Sequence, residues 1–227
     1  LRPDRLQSFV AEAVALTRAI QPDEFRALPD PALYEGRSDA DLELADAEVR
    51  SVTREQRIAW CEAMDEAVHG DERVISATSG VEDGHSLGAA ASTNGFEGSW
   101  ESTYLWRGTE CTIHGEGDKR PEDWFWCGGV GNVGLPDPAA AAMVSLEGAL
   151  ARLGSTKGPT QRTTMVVHPR SAGSLVSRLL GPANARSVQQ GRSHWAGKVG
   201  EKRVSELLTV MDNPLIPRGL GSRYFDG

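Results

Sequence analysis

The stretch that most restricts the fold runs from residue 73 to residue 130, where short β-branched and aromatic runs are cut at close intervals by turn-forming residues. Glu82-Asp83-Gly84, Asn94-Gly95, Gly115-Glu116-Gly117 and Asp118-Lys119 supply residues that tolerate left-handed backbone angles or bond their own backbone, as tight reversals require. Such reversals join antiparallel neighbours, because a parallel crossover needs a dozen or more residues. The segment therefore predicts an antiparallel meander of about four strands, at residues 74–81, 85–93, 99–114 and 124–130. Small and polar residues alternate with large ones along it. One face is thus expected to be solvated, or to cover something that is not lipid-like.

Helices flank the meander. Residues 5–20 place Leu6, Phe9, Val10, Ala13, Val14 and Leu16 near helical spacing, with Pro3 suited to a first turn and Pro22 ending the run. Pro29 and Pro31 make residues 23–37 a linker. Thr53 can cap a helix that Gln56 closes from within, with Ala63, Met64 and Val68 inward and Gly70 as the stop. Asp137-Pro138 opens a third helix over residues 139–153, ended by Gly154, whose alanine richness predicts close packing on a neighbour. Beyond it, residues 163–167 suggest a short strand, 172–180 a helix stopped by Gly181-Pro182, and 185–190 and 195–199 short helical pieces. A strand at 206–211 and a loop-like terminus at 212–227 complete the chain. The fold class is α+β: an antiparallel meander with flanking helices over residues 1–135, then a mixed α/β segment at 136–227.

With 39% hydrophobic residues, 227 residues suffice for a packed core. A net charge of -8 opposes phosphate-backbone binding, so no nucleic-acid partner is expected. No stretch approaches the roughly 18 apolar residues of a membrane span, and residues 1–10 lack the basic-then-apolar pattern of a signal peptide. A cytoplasmic protein without membrane contact is expected. Cys61, Cys111 and Cys127 are odd in number and far apart, which suits small core residues better than disulfides or a zinc knuckle.

The chemistry-bearing motifs are absent. No H-E-x-x-H brings two imidazoles to one ion, and no G-x-S-x-G strains a serine into a nucleophile. Ser171 and Ser174 lie near a strand-to-helix turn, where Ala172-Gly173 suit packing. Gly129-x-Gly131-x-x-Gly134 matches a dinucleotide-binding pattern in letters only, since Pro136 follows at once. No catalytic, metal-binding or cofactor-binding residue is therefore assigned. The aromatic cluster Trp100, Tyr104, Trp106, Trp124, Phe125 and Trp126 has two readings. A spacing of two puts Trp124 with Trp126 on one face and Tyr104 with Trp106 on another, either as cross-strand core packing or as a peptide or partner surface.

From Met165 onward a family resemblance enters. Val166-Val167, Pro169, Ala172-Gly173, Leu175, Ser193, Gly197-Lys198-Val199-Gly200-Glu201, Leu207-Leu208-Thr209-Val210, Arg218-Gly219, Gly221-Ser222 and Phe225-Asp226 resemble the C-terminal half of the TldD/PmbA family. Residues 28–34, the strand at residues 76–80 and the alanine-rich helix before Gly154 are similar to its middle region. The resemblance implies that residues 136–227 begin a larger C-terminal domain. In that family two related chains, TldD and TldE (PmbA), form a cytoplasmic heterodimeric metalloprotease acting on unfolded peptides. The zinc-bearing chain carries H-E-x-x-x-H on a helix whose counterpart here is Ser177-Arg178-Leu179-Leu180-Gly181-Pro182. Serine and proline offer no ligand, and Arg178 would repel a divalent ion. The resemblance thus implies a TldE-like, non-catalytic subunit: no cofactor in this chain, zinc in a TldD-like partner, and unfolded peptides as further partners, held as an added strand on a free sheet edge.

Two other readings stand beside it. One is a stand-alone peptide-binding module; the other is a hydrolase with dispersed metal ligands such as His168, His194 and Glu201, whose spacing does not force convergence. The chain opens on Leu1 and ends at Gly227, where the family continues, so it is expected to be a piece of a longer protein.

Overall fold

The computed structural model describes residues 2–23 and 25–225. In chain order the elements are α1 (Leu6–Ala19), α2 (Ala47–Arg50), α3 (Arg54–His69), β1 (Val74–Ala91), β2 (Glu97–Ile113), β3 (Glu122–Gly129), α4 (Pro138–Leu150), α5 (Pro169–Leu180) and α6 (Ala185–Gln189). The strands form one antiparallel sheet in the order β1-β2-β3. The α+β architecture anticipated from the sequence, an antiparallel meander with flanking helices, is the one found.

The meander has three strands rather than four. β1 and β2 pair from Ser76 opposite Thr112 to Ala91 opposite Glu97, straight through Glu82-Asp83-Gly84. That tripeptide stays extended because the ladder holds it. Asp83 accepts from both Nε and Nη2 of Arg57 on α3, the latter at 2.7 Å, and Gly84 lies beneath the ring of Tyr104. The other turn signals do reverse the chain. Ser92 N–H donates to Phe96 O at 2.9 Å around Gly95 at φ 93°, and Gly115 N–H donates to Lys119 O at 3.1 Å around Gly117 at φ 60°.

Two compact units account for the described residues: Pro31–Gln161 with Val210–Gly227, and Leu1–Asp30 with Arg162–Thr209. The first holds the sheet. Thr103, Leu105, Arg107, Thr109, Cys111 and Ile113 of β2 are buried on one face, the period of two expected of a half-buried strand. α3 and α4 cover that face, and Met64, Val68, Cys111, Ile113, Ala142, Leu146 and Ala149 form its core. Burying each large member contributes about 1.5–3 kcal/mol. α3 starts with the anticipated capping box: Gln56 N–H donates to Thr53 Oγ1 at 3.2 Å, and Thr53 N–H to Gln56 Oε1 at 2.8 Å. Asp137 caps α4 by accepting from Ala139 N–H at 3.0 Å. Ala141, Ala142, Ser145 and Ala149 then let this helix approach the sheet closely. At Gly148 the approach is tightest, with Asp123 of β3 standing where a side chain would be; Arg152 donates to Asp123 at 3.0 Å.

Past the end of β3, residues 42–46 run as a strap against β2: Thr103 N–H donates to Leu44 O at 2.9 Å. The returning segment locks this strap. Arg218 N–H donates to Leu42 O at 2.8 Å, its Nη2 pairs with Asp46 at 2.9 Å, and Leu42 N–H donates to Tyr224 Oη at 3.2 Å.

The second unit is helical. Its α1 buries no residue, and Leu6, Phe9, Val10 and Val14 are 44–53% exposed. The strands expected at 163–167 and 206–211 are not formed. A strand needs a neighbour's backbone groups; Val166 and Leu207 are instead 92% and 98% exposed. Residues 195–199 make turns rather than a helix, with Gly197 and Gly200 at positive φ breaking the run. Asp226, the last residue of the family resemblance, lies outside the described residues, as do Leu1, Gly227 and Glu24 of the linker. No helix among the described residues is long and apolar enough to cross a membrane.

Candidate functional site

The face of the sheet away from α3 and α4 is built from glycines and rings. On β2, Trp100, Tyr104 and Trp106 point outward; opposite them stand Gly88 and Gly84 of β1 and Gly128 of β3. Trp126 of β3 stands opposite Gly108 of β2. A methyl group at Gly88, Gly84, Gly128 or Gly108 would lie 2.1–2.6 Å from a ring carbon of its partner, and one at Gly80 would lie 2.8 Å from the far edge of Trp126. Glycine here is room for a ring laid across the neighbouring strand, which also restores the packing that the missing side chain forfeits.

This register corrects the sequence reading of the aromatic residues. Because Trp106 faces Gly128 and Trp126 faces Gly108, Tyr104, Trp106, Trp124 and Trp126 share one face. That face is not core, since Trp100, Trp106, Trp124 and Trp126 are 36–53% exposed. The rings line a shallow cavity of about 420 Å³ formed by Glu82, Tyr104, Trp106 and Trp126. Tyr104 Oη donates to Glu82 Oε1 at 3.2 Å, and this bond, with the nearby carboxylate charge, raises the phenol above its ordinary range. At the other end Phe225 packs edge-on against Phe96 and Trp100, at 5.0 and 5.7 Å between centroids, closing the face beside Arg223.

The residues singled out for metal chemistry are dispersed. His168 caps α5, accepting from Arg170 N–H at 3.3 Å; His194 rests edge-on against Trp195; Glu201 pairs with Lys198 at 3.2 Å and Arg203 at 3.3 Å. Among the described residues, no group of three His, Cys, Asp or Glu side chains could hold a metal ion. Ser177 and Arg178 are exposed on the last turn of α5, followed by a single tight turn over Gly181–Ala183. Gly131, inside the dinucleotide-like pattern, serves packing, since a methyl there would lie 2.0 Å from Asp46 Oδ2. All three cysteines are free, and burial raises each thiol, which keeps them poor nucleophiles.

Sequence reasoning missed Arg107. It is 2% exposed on the inner face, with Nη1 on Asn132 at 3.0 Å, Nη2 on the Pro136 carbonyl and its guanidinium over Trp60 at 5.7 Å. It ties the chain after β3 to the sheet with neutral acceptors only. No local pattern marks such a residue.

Residues 160–227 match the family model described as the PmbA/TldA metallopeptidase C-terminal domain. Over 104 residues, 44% of the chain, it is 34% identical to a protein named metalloprotease from Methanothermobacter thermautotrophicus, of which the match covers 23%. The solved structure of a candidate modulator of DNA gyrase from Bacteroides thetaiotaomicron superposes on 100% of this chain and 52% of its own, with TM-score 0.91 and 33% identity. A similarly described protein from Thermotoga maritima covers 84% of this chain and 44% of its own, at TM-score 0.70 and 18% identity. TldE from Thermococcus kodakarensis covers 89% and 45%, at 0.63 and 16%. The chain thus spans 44–52% of these structures' lengths.

Proposed function

We infer, for a chain that belongs to the TldD/PmbA family, that it is the non-catalytic member of a peptidase pair acting on unfolded peptides, with zinc held by a TldD-like partner. One observation carries this reading. α5, which the family resemblance aligns with the zinc-bearing helix of the family's catalytic chain, ends in Ser177, Arg178, Leu179 and Leu180, then Gly181-Pro182. Serine, leucine and proline side chains cannot ligate zinc, and the Arg178 guanidinium stands where a general base would be needed. Proteolysis therefore needs a second chain.

The sheet suits the remaining task. β1 and β3 each have one edge without a partner strand among the described residues, and an extended peptide can add there through main-chain hydrogen bonds that ignore its sequence. The apolar stripe of α1 and the exposed residues 163–166 are surfaces of the kind a partner subunit covers. Free thiols throughout fit a reducing cytoplasm.

Purifying the chain with and without a co-expressed zinc-bearing homologue, then measuring zinc content and cleavage of unfolded casein, tests this reading. Zinc and cleavage are expected only with the partner. Stoichiometric zinc and cleavage by this chain alone would overturn it.

A further inference from the structure

Charge is distributed unevenly between the two faces of the sheet. Three acids on the inward register meet an arginine: Asp83 with Arg57 at 2.7 Å, Glu101 with Arg50 at 2.8 Å, Asp123 with Arg152 at 3.0 Å. The outward charged residues of the strands are Glu82, Glu110 and Glu122, all acids. None of the three pairs with a cation among the described residues. Those three inward acids are neutralised within the chain, and the outward face is left negative beside open tryptophan surface.

At Glu82 the two features converge. Its outward neighbours along β1 are Gly80 and Gly84. The edge of the Trp126 ring covers the first and the Tyr104 ring covers the second, while Trp106 faces Glu82 across the ladder. A carboxylate is thus set among three aromatic rings, in the cavity they line together. Among the described residues its carboxylate takes one bond, from the Tyr104 hydroxyl at 3.2 Å, a neutral donor that leaves the charge uncompensated. The glycines fix the rings in place, so the site is formed before anything binds.

We propose that Glu82, Tyr104, Trp106 and Trp126 form a binding site for the cationic side chain, lysine or arginine, of an extended peptide lying across the sheet. Ring faces attract a cation through their quadrupoles and the carboxylate through its charge, and both act most strongly on a partly desolvated group. An anionic or aliphatic side chain gains only one part of this or is repelled. The site deepens the peptide-holding role inferred above by naming the residue class it selects.

Titration of the full chain with capped alanine pentapeptides bearing a central Arg, Lys, Leu or Glu, followed by tryptophan fluorescence, tests the proposal. The Arg and Lys peptides should bind at least about tenfold more tightly than the Leu and Glu peptides. Glu82→Gln, an isosteric change at an exposed position, should reduce that preference several-fold, leaving only the part the rings supply, with the far-ultraviolet circular dichroism unchanged. Equal binding of all four peptides, no binding of any, or a preference undiminished in Glu82→Gln would overturn the site. Casein cleavage by the chain with its zinc-bearing partner reads the subunit role separately: cleavage retained without the cationic preference would refute the site alone.

Discussion

Gly148→Ala should destabilise this protein, although glycine to alanine inside a helix ordinarily stabilises by about 1 kcal/mol. Gly148 sits in the last turns of α4, facing β3, and an added methyl would lie 1.9 Å from Asp123 Oδ2 and 2.7 Å from its carboxyl carbon. To reach ordinary contact the carboxylate must retreat by about 1.5 Å. Asp123 is only 6% exposed and bonded to Arg152 at 3.0 Å, so retreat stretches that bond and pushes into a packed neighbourhood. Overpacking costs about 1–3 kcal/mol, and weakening a bond to a buried charge adds about 1–2 kcal/mol. Against the helix gain, the net loss is about 2 kcal/mol. Urea unfolding followed by tryptophan fluorescence should show a midpoint lower by about 1 M. In an Asp123→Ala background the obstacle is gone, and the same Gly148→Ala should become stabilising by about 1 kcal/mol. A Gly148→Ala protein as stable as wild type, or an equal loss in both backgrounds, would refute the reasoning.

Three further measurements probe other parts of the first unit. Thr53→Ala removes half of the capping box and should cost about 1 kcal/mol by urea unfolding, with Thr53→Ser close to wild type. Leu146→Ala opens a cavity between α4 and the sheet and should cost about 2–5 kcal/mol, seen as a lower thermal midpoint. The hydrogen bond from Arg218 holds the Asp46 carboxyl below its ordinary value, against a smaller opposing effect of burial. A carboxyl lowered on folding stabilises fully above its unfolded value and loses that contribution as pH falls through the folded one. The penalty of Arg218→Ala should therefore be full at neutral pH and shrink progressively below about pH 4; a penalty independent of pH would contradict the pairing.

What was legible in the sequence was what is decided locally. The capping box at Thr53 and Gln56, the cap at Asp137 and the turns at Asn94-Gly95 and Gly115-Glu116-Gly117 depend on a few consecutive residues, and each is found. Glu82-Asp83-Gly84 has the same composition but a different cause, because its glycine accommodates a ring from another strand. The strands expected at 163–167 and 206–211 failed for a related reason: their propensity is real, but a ladder partner cannot be read from the segment itself. The aromatic cluster was visible, its placement was not. Faces follow from cross-strand register, and the signal that could have revealed it is Gly80, Gly84 and Gly88 at intervals of four, all on the face that also carries Glu82.

The sheet-bearing unit is made of two stretches of chain, Pro31–Gln161 and Val210–Gly227, with Arg162–Thr209 excursing between them into the other unit. A ribosome therefore releases β1, β2, β3 and α4 well before the segment that fastens Leu42 and Asp46 through Arg218 and Tyr224. Until that segment emerges, the strap at residues 42–46 and the Trp100 end of the sheet lack their cover, and joining them closes a long loop at an entropic cost that grows only with the logarithm of its length. The excursion thus places the last stitch of the sheet after β1, β2, β3 and α4 have left the ribosome, and a single protease cut within it should leave this stretch of chain as two noncovalently held fragments, recoverable together by gel filtration and separated once denatured.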